Sequence, residues 1–160
     1  MASDPTSDAP TVFVVDDDDA VRDSLCTSLA ASGYRCEGYE SGPAFLSAIV
    51  AGRRGCVLVD VRMPGMDGLE LQQQLNARAI GLPVIFMTGF GEVALAVQAM
   101  KAGAVDFVEK PFGLDVLKDC IARALARVAS SDRRTAEAAQ ARERIARLTP
   151  RERDVLRLLV

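Results

Sequence analysis

Cys56-Val57-Leu58-Val59-Asp60-Val61-Arg62-Met63-Pro64-Gly65-Met66-Asp67-Gly68 carries the reading of the fold. Cys56 to Val59 is a continuous apolar run with no polar alternation, the pattern of a strand buried on both faces. Asp60 ends it. Met63 to Gly68 then places Pro and Gly where a turn needs them, and a helix is predicted from there through about Ala77. Strand, acid, turn and helix make one βα unit.

The unit repeats in both directions. Downstream, Pro83 to Met87 reads as a strand ending at Thr88-Gly89, and Glu92 to Ala102 as a helix. Ala104 to Val108 is a further strand ending at Lys110-Pro111. A last helix starts near Gly113, with Leu117, Ile121, Leu125 and Val128 on one face. Upstream, Thr11 to Val15 is a strand ending in Asp16-Asp17, and Asp19 to Ala31 a helix with Val21, Leu25 and Leu29 four apart. Gly33 ends that helix, Tyr34 to Tyr39 is a weaker strand, and Pro43 to Val50 a helix with Pro near its first turn. Five such alternations call for a parallel sheet covered on both faces. The expected fold is a doubly wound α/β sandwich of flavodoxin-like type, strand order 2-1-3-4-5.

The flanks read differently. Residues 1–10 carry Ser, Asp, Pro and Thr and suggest a flexible tail with no basic n-region of a signal peptide. Residues 129–148 are rich in Ala, Arg, Glu and Gln, with high helix propensity and a thin apolar stripe, as in a helical linker. Thr149, Pro150 and Glu152 then form an N-cap, a first-turn proline and a capping box. Val155, Leu156 and Leu159 begin an apolar face that one helix cannot bury. Residues 149–160 are therefore expected to be the truncated first helix of a further domain.

Composition excludes several chemistries. The 160 residues are 49% hydrophobic and 26% charged with a net charge of -3, so nothing draws the whole surface to nucleic acid. No apolar run approaches the roughly 18 residues of a bilayer span, and a cytoplasmic location without membrane attachment is expected. The four cysteines, Cys26, Cys36, Cys56 and Cys120, form no C-x-x-C pair and read as small core residues of a reducing compartment. There is no histidine. Neither a Ser-His-Asp nor a Cys-His apparatus can exist, and no imidazole can carry a phosphoryl group.

Functional groups of an open parallel sheet gather beyond the C-terminal ends of its strands. Those ends carry Asp16 and Asp17, Asp60, Thr88 and Lys110. Strands one and three are neighbours in this topology, so three carboxylates converge, which is costly unless a cation sits among them. Hard oxygen ligands with room for water suit Mg²⁺. The metal, the Lys110 ammonium and the Thr88 hydroxyl could share the oxygens of a phosphoryl group, and a carboxylate can be the nucleophile that accepts it.

The runs Val14-Val15-Asp16-Asp17, Val59 to Gly68, Met87-Thr88-Gly89 and Glu109-Lys110-Pro111-Phe112 resemble the signature of response-regulator receiver domains. The resemblance covers about residues 11–128. Within that superfamily, Met87 to Gly91, Ala94 to Ala104 and Phe107 to Phe112 are similar to the FixJ group. Leu148 to Leu156 resembles the opening helix of LuxR-type helix-turn-helix domains.

The resemblance implies a two-component regulator rather than an enzyme acting on a separate substrate. Asp60 would accept a phosphoryl group from a histidine on a sensor kinase. Asp17, Asp60 and the backbone carbonyl of Arg62 would coordinate Mg²⁺, with Asp16 acting through water. Lys110 would pair with the phosphoryl oxygens, its bond to Pro111 being cis. Thr88 would hydrogen-bond the phosphoryl group, and Phe107 would be an aromatic switch that turns inward as Thr88 moves. The helix from Glu92 to Ala102 has almost no polar face, so apolar surface there is expected to meet a partner. The implied output is homodimerisation through the helix 4/strand 5 surface, with DNA bound only through the missing C-terminal domain. Two other readings are an FMN-binding flavodoxin-like module and a carboxylate-nucleophile phosphatase. The first needs a phosphate cradle where Asp16 to Asp19 would repel phosphate, and the second an acid where Arg62 stands.

Overall fold

The structure is a computed structural model and describes residues 10–50, 52–89 and 91–146. Five strands alternate with five helices: β1 (Thr11–Val15), α1 (Asp19–Ala31), β2 (Arg35–Tyr39), α2 (Gly42–Ala48), β3 (Gly55–Asp60), α3 (Gly68–Ala77), β4 (Val84–Thr88), α4 (Val93–Lys101), β5 (Asp106–Glu109) and α5 (Leu114–Ala146). All strand pairs are parallel, in the order β2-β1-β3-β4-β5. The expected doubly wound sheet is the observed one.

Successive strand residues point to opposite faces, and the sheet therefore builds two cores. Phe13, Val15, Val57, Val59 and Phe86 pack with Phe45 of α2, Leu71 and Leu75 of α3 and Ala99 of α4. Val12, Val14, Leu58, Ile85 and Met87 pack on the other face with Leu29 of α1 and Leu117 and Ile121 of α5. Both faces being dry explains why β1, β3 and β4 read as unbroken apolar runs.

Local chemistry sets the element ends. The Asp18 carboxylate accepts from the N–H groups of Ala20 and Val21 and starts α1. Asp67 and Glu70 form a reciprocal capping box at α3. Ser41, not Pro43, sets the start of α2. β5 begins two residues later than the apolar pattern suggests, because the Ala104 N–H is used to close α4 on the Ala99 carbonyl. α5 runs from Leu114 through Ala146 without a break, and no Gly or Pro interrupts residues 129–146.

Contacts divide the chain into two compact units, Met1–Val128 and Ala129–Val160. The expected tail (all but Pro10), the end of the linker and the helix opening at Thr149 lie outside the described residues. Among the described residues no helix is long and apolar enough to cross a membrane.

Candidate functional site

A parallel sheet delivers every strand's C-terminal end to the same edge. Val15 of β1 lies opposite Val59 of β3, so the next residues, Asp16 and Asp60, emerge side by side. Asp16, Asp17 and Asp60 each offer a carboxylate oxygen within 4.8 Å of the others. Lys110 reaches in from the end of β5, its Nζ 2.9 Å from Asp60 Oδ2 and 3.7 Å from Asp16 Oδ2. The Lys110 N–H donates to the Thr88 carbonyl at 2.7 Å, and the Lys110–Pro111 bond is cis. The Arg62 N–H donates to Asp60 Oδ1 at 3.0 Å.

The electrostatics follow from burial. Asp16 is wholly buried; its Oδ1 accepts from the Asp18 N–H, while Oδ2 has no hydrogen-bond partner. Burial pushes its carboxyl above the ordinary value. The Asp18 N–H and the Lys110 charge offset this in part, and Asp60 and Asp17 add to it. Burial alone would lower the Lys110 ammonium, but the hydrogen bond and charge of Asp60 outweigh it and hold the amine high. Three acids face one lysine, so the cluster carries surplus negative charge and an orphaned buried oxygen. An all-oxygen donor set with that surplus fits a hard divalent cation.

The other two acids of the run do structural work. Asp18 caps α1, and Asp19 pairs with Arg22. Arg22 in turn donates from Nη1 to the Asp16 carbonyl at 2.7 Å, anchoring the β1–α1 turn.

Thr88 and Phe107 are not drawn into the carboxylate cluster. The buried Thr88 hydroxyl donates across to the Val108 carbonyl at 3.3 Å. Phe107 is 39% exposed and lines a groove of about 340 Å³ with Val93, Ala96, Val97, Met100 and Lys101. The apolar surface expected of α4 is therefore present.

Sequence reasoning missed two residues. Glu92 pairs with the Arg62 guanidinium and accepts from the Gly89 N–H, tying the turn after β3 to the loop before α4. Its partner is 30 residues away, and no spacing pattern signals it. The turn pattern explains Gly68 only in part. A Cβ there would lie 2.7 Å from the Asp60 carbonyl oxygen and 2.9 Å from Val61 Cα, so the glycine lets α3 start against the end of β3.

Residues 12–122 match the response regulator receiver domain family. The chain is 49% identical over 149 residues to the transcriptional regulatory protein FixJ of Azorhizobium caulinodans, covering 93% of this chain and 71% of that protein. Full-length FixJ from B. japonicum superposes with a TM-score of 0.74 at 43% identity, covering 94% of this chain and 74% of that one. The response regulator StyR gives a TM-score of 0.77 at 43% identity, covering 94% and 76%.

Proposed function

The chain belongs to the response regulator receiver domain family, and from that premise we propose that Asp60 is the phospho-acceptor of a two-component transcriptional regulator. The observation that carries the assignment is the Lys110 ammonium 2.9 Å from Asp60 Oδ2 at the end of β3, beside Asp16 and Asp17. The donor imidazole would be that of a sensor kinase, which matches the lack of histidine in these 160 residues. An Asp60 carboxylate oxygen attacks the phosphorus; a P–O bond forms, the P–N bond to the imidazole breaks, and the electron pair stays on the departing nitrogen.

Lys110 is placed to follow the charge onto the phosphoryl oxygens, and the Arg62 N–H orients the carboxylate. Asp17, Asp60 and the Arg62 carbonyl would hold Mg²⁺, with Asp16 acting through water, and the ion would supply charge neutralisation when bound. Thr88 would exchange its bond to Val108 for one to a phosphoryl oxygen, and Phe107 would then turn inward. That rearrangement reshapes the apolar α4/β5 groove, which we assign to homodimerisation. Sequence-specific DNA contact is assigned to a helix-turn-helix domain opening at Thr149. FMN binding and phosphatase turnover lose ground, because the Asp16 to Asp19 turn has no phosphate cradle and Arg62 stands in place of the second acid.

Acetyl phosphate with Mg²⁺ tests the acceptor. Intact mass should rise by one phosphoryl group in the native protein and stay unchanged in Asp60→Asn. Labelling of the variant at the native rate would move the site elsewhere.

A further inference from the structure

Cys26 and Cys36 are far enough apart in sequence to form no thiol motif, but the fold brings them into contact. Cys26 sits in the C-terminal half of α1 and Cys36 on β2, and their Sγ atoms are 2.7 Å apart. That is inside the contact distance of two unbonded sulfurs and close to an S–S bond of about 2.0 Å. Both thiols are free and half-buried, whereas Cys56 and Cys120 are buried. We propose that Cys26 and Cys36 are a reversible oxidation site, forming a disulfide that staples α1 to β2 when the chain meets a small disulfide such as oxidised glutathione.

The chemistry balances as two exchanges. The Cys26 thiolate attacks one sulfur of the small disulfide, forming a mixed disulfide and releasing one small thiol. The Cys36 thiolate then attacks Cys26 Sγ, forming the Sγ–Sγ bond and expelling the second small thiol. Two electrons pass to the small disulfide, and the two cysteine protons end on the released thiols. Burial, then the contact with Cys26, pushes the Cys36 thiol well above its ordinary value. Burial therefore disfavours Cys36 as the opening nucleophile, and its contact with Cys26 compensates in the second step. The two remaining thiols are held back by burial, Cys56 pushed up to about 12 and Cys120 to about 11.

The site has a consequence for the rest of the fold. β2 is a terminal strand of the sheet, and α1 and β2 meet along the rim of one core, where Leu25, Cys26, Tyr34 and Cys36 are only partly buried. Cys26 lies one helical turn beyond Arg22, which holds the Asp16 carbonyl. A staple at Cys26 therefore braces the helix that anchors the first acidic turn.

The native chain should be incubated with oxidised glutathione at neutral pH, unfolded under acid, alkylated and mapped by mass. The expected result is a loss of the mass of two hydrogen atoms, a Cys26–Cys36 linked peptide pair, and alkylation confined to Cys56 and Cys120. Dithiothreitol should reverse it. Cys36→Ser should instead hold a stable glutathione on Cys26. Hydrogen exchange in the C-terminal half of α1 and in β2 should slow in the oxidised form. Recovery of all four thiols free, a stable glutathione adduct on the native chain, or cross-links between chains would each overturn the proposal, and none of these outcomes depends on whether Asp60 accepts a phosphoryl group.

Discussion

Asp16 carries a buried oxygen that accepts no hydrogen bond, and a charged group in that position costs the fold free energy. Its carboxyl is raised above 3.8, first by burial. The native state therefore holds this proton more firmly than the unfolded chain. The cost is full at pH values above the raised pKa and is relieved as pH falls through it towards 3.8. In the absence of divalent cation, Asp16→Asn keeps an acceptor for the Asp18 N–H and removes the charge. Its Tm at pH 7 is expected to be roughly 2–8 °C above that of the native protein, with the gain shrinking in acid. Thermal melts of both proteins across pH check this. A gain that grows on acidification would contradict the sign. Asp60, Lys110 and the acidic pair at β1 were legible in the sequence because each stands at the end of an apolar run. Glu92 was not, because an ion pair between loops leaves no periodicity.

At the scale of elements, α3 starts against β3 only because residue 68 has no side chain. The nearest atoms to a Cβ there are the Asp60 carbonyl oxygen, the edge of the buried Phe86 ring and Val61 Cα, and the two backbone atoms cannot swing aside. Gly68→Ala is expected to lower stability by about 1–3 kcal/mol and to slow phosphorylation, since the displaced turn carries Asp60 and the Arg62 N–H. Urea unfolding and a mass time course measure the two effects, and native behaviour in both would mean that α3 shifts freely. On α4, Val97 is 47% exposed in the groove beside Phe107. Val97→Glu should leave monomer stability within about 0.5 kcal/mol while abolishing dimerisation induced by beryllofluoride at Asp60. Light scattering reads the outcome, and an unchanged dimer would exclude this face as the interface.

At the scale of the whole molecule, the described α5 side chains that pack into a core are Leu117, Cys120, Ile121, Ala124 and the partly buried Leu125, all within the first unit. A chain ending at Val128 is therefore expected to melt within roughly 4 °C of the full chain and to acquire a phosphoryl group from acetyl phosphate at the same rate. Loss of cooperative melting in the shorter chain would show that residues 129–160 belong to its folding unit.

The α/β class, the strand order and the acids, threonine and lysine at the strand ends followed from sequence alone. Burial on both faces writes itself as unbroken apolar runs, and a parallel sheet must deliver its strand ends to one edge. Tertiary structure decided what depends on distance between elements. It turned the Thr88 hydroxyl towards Val108, left Phe107 outside, and joined Arg62 to Glu92. It also brought Cys26 to Cys36. A helix and a strand have different periods, so which of their residues meet is set by how the two pack and not by any spacing along the chain.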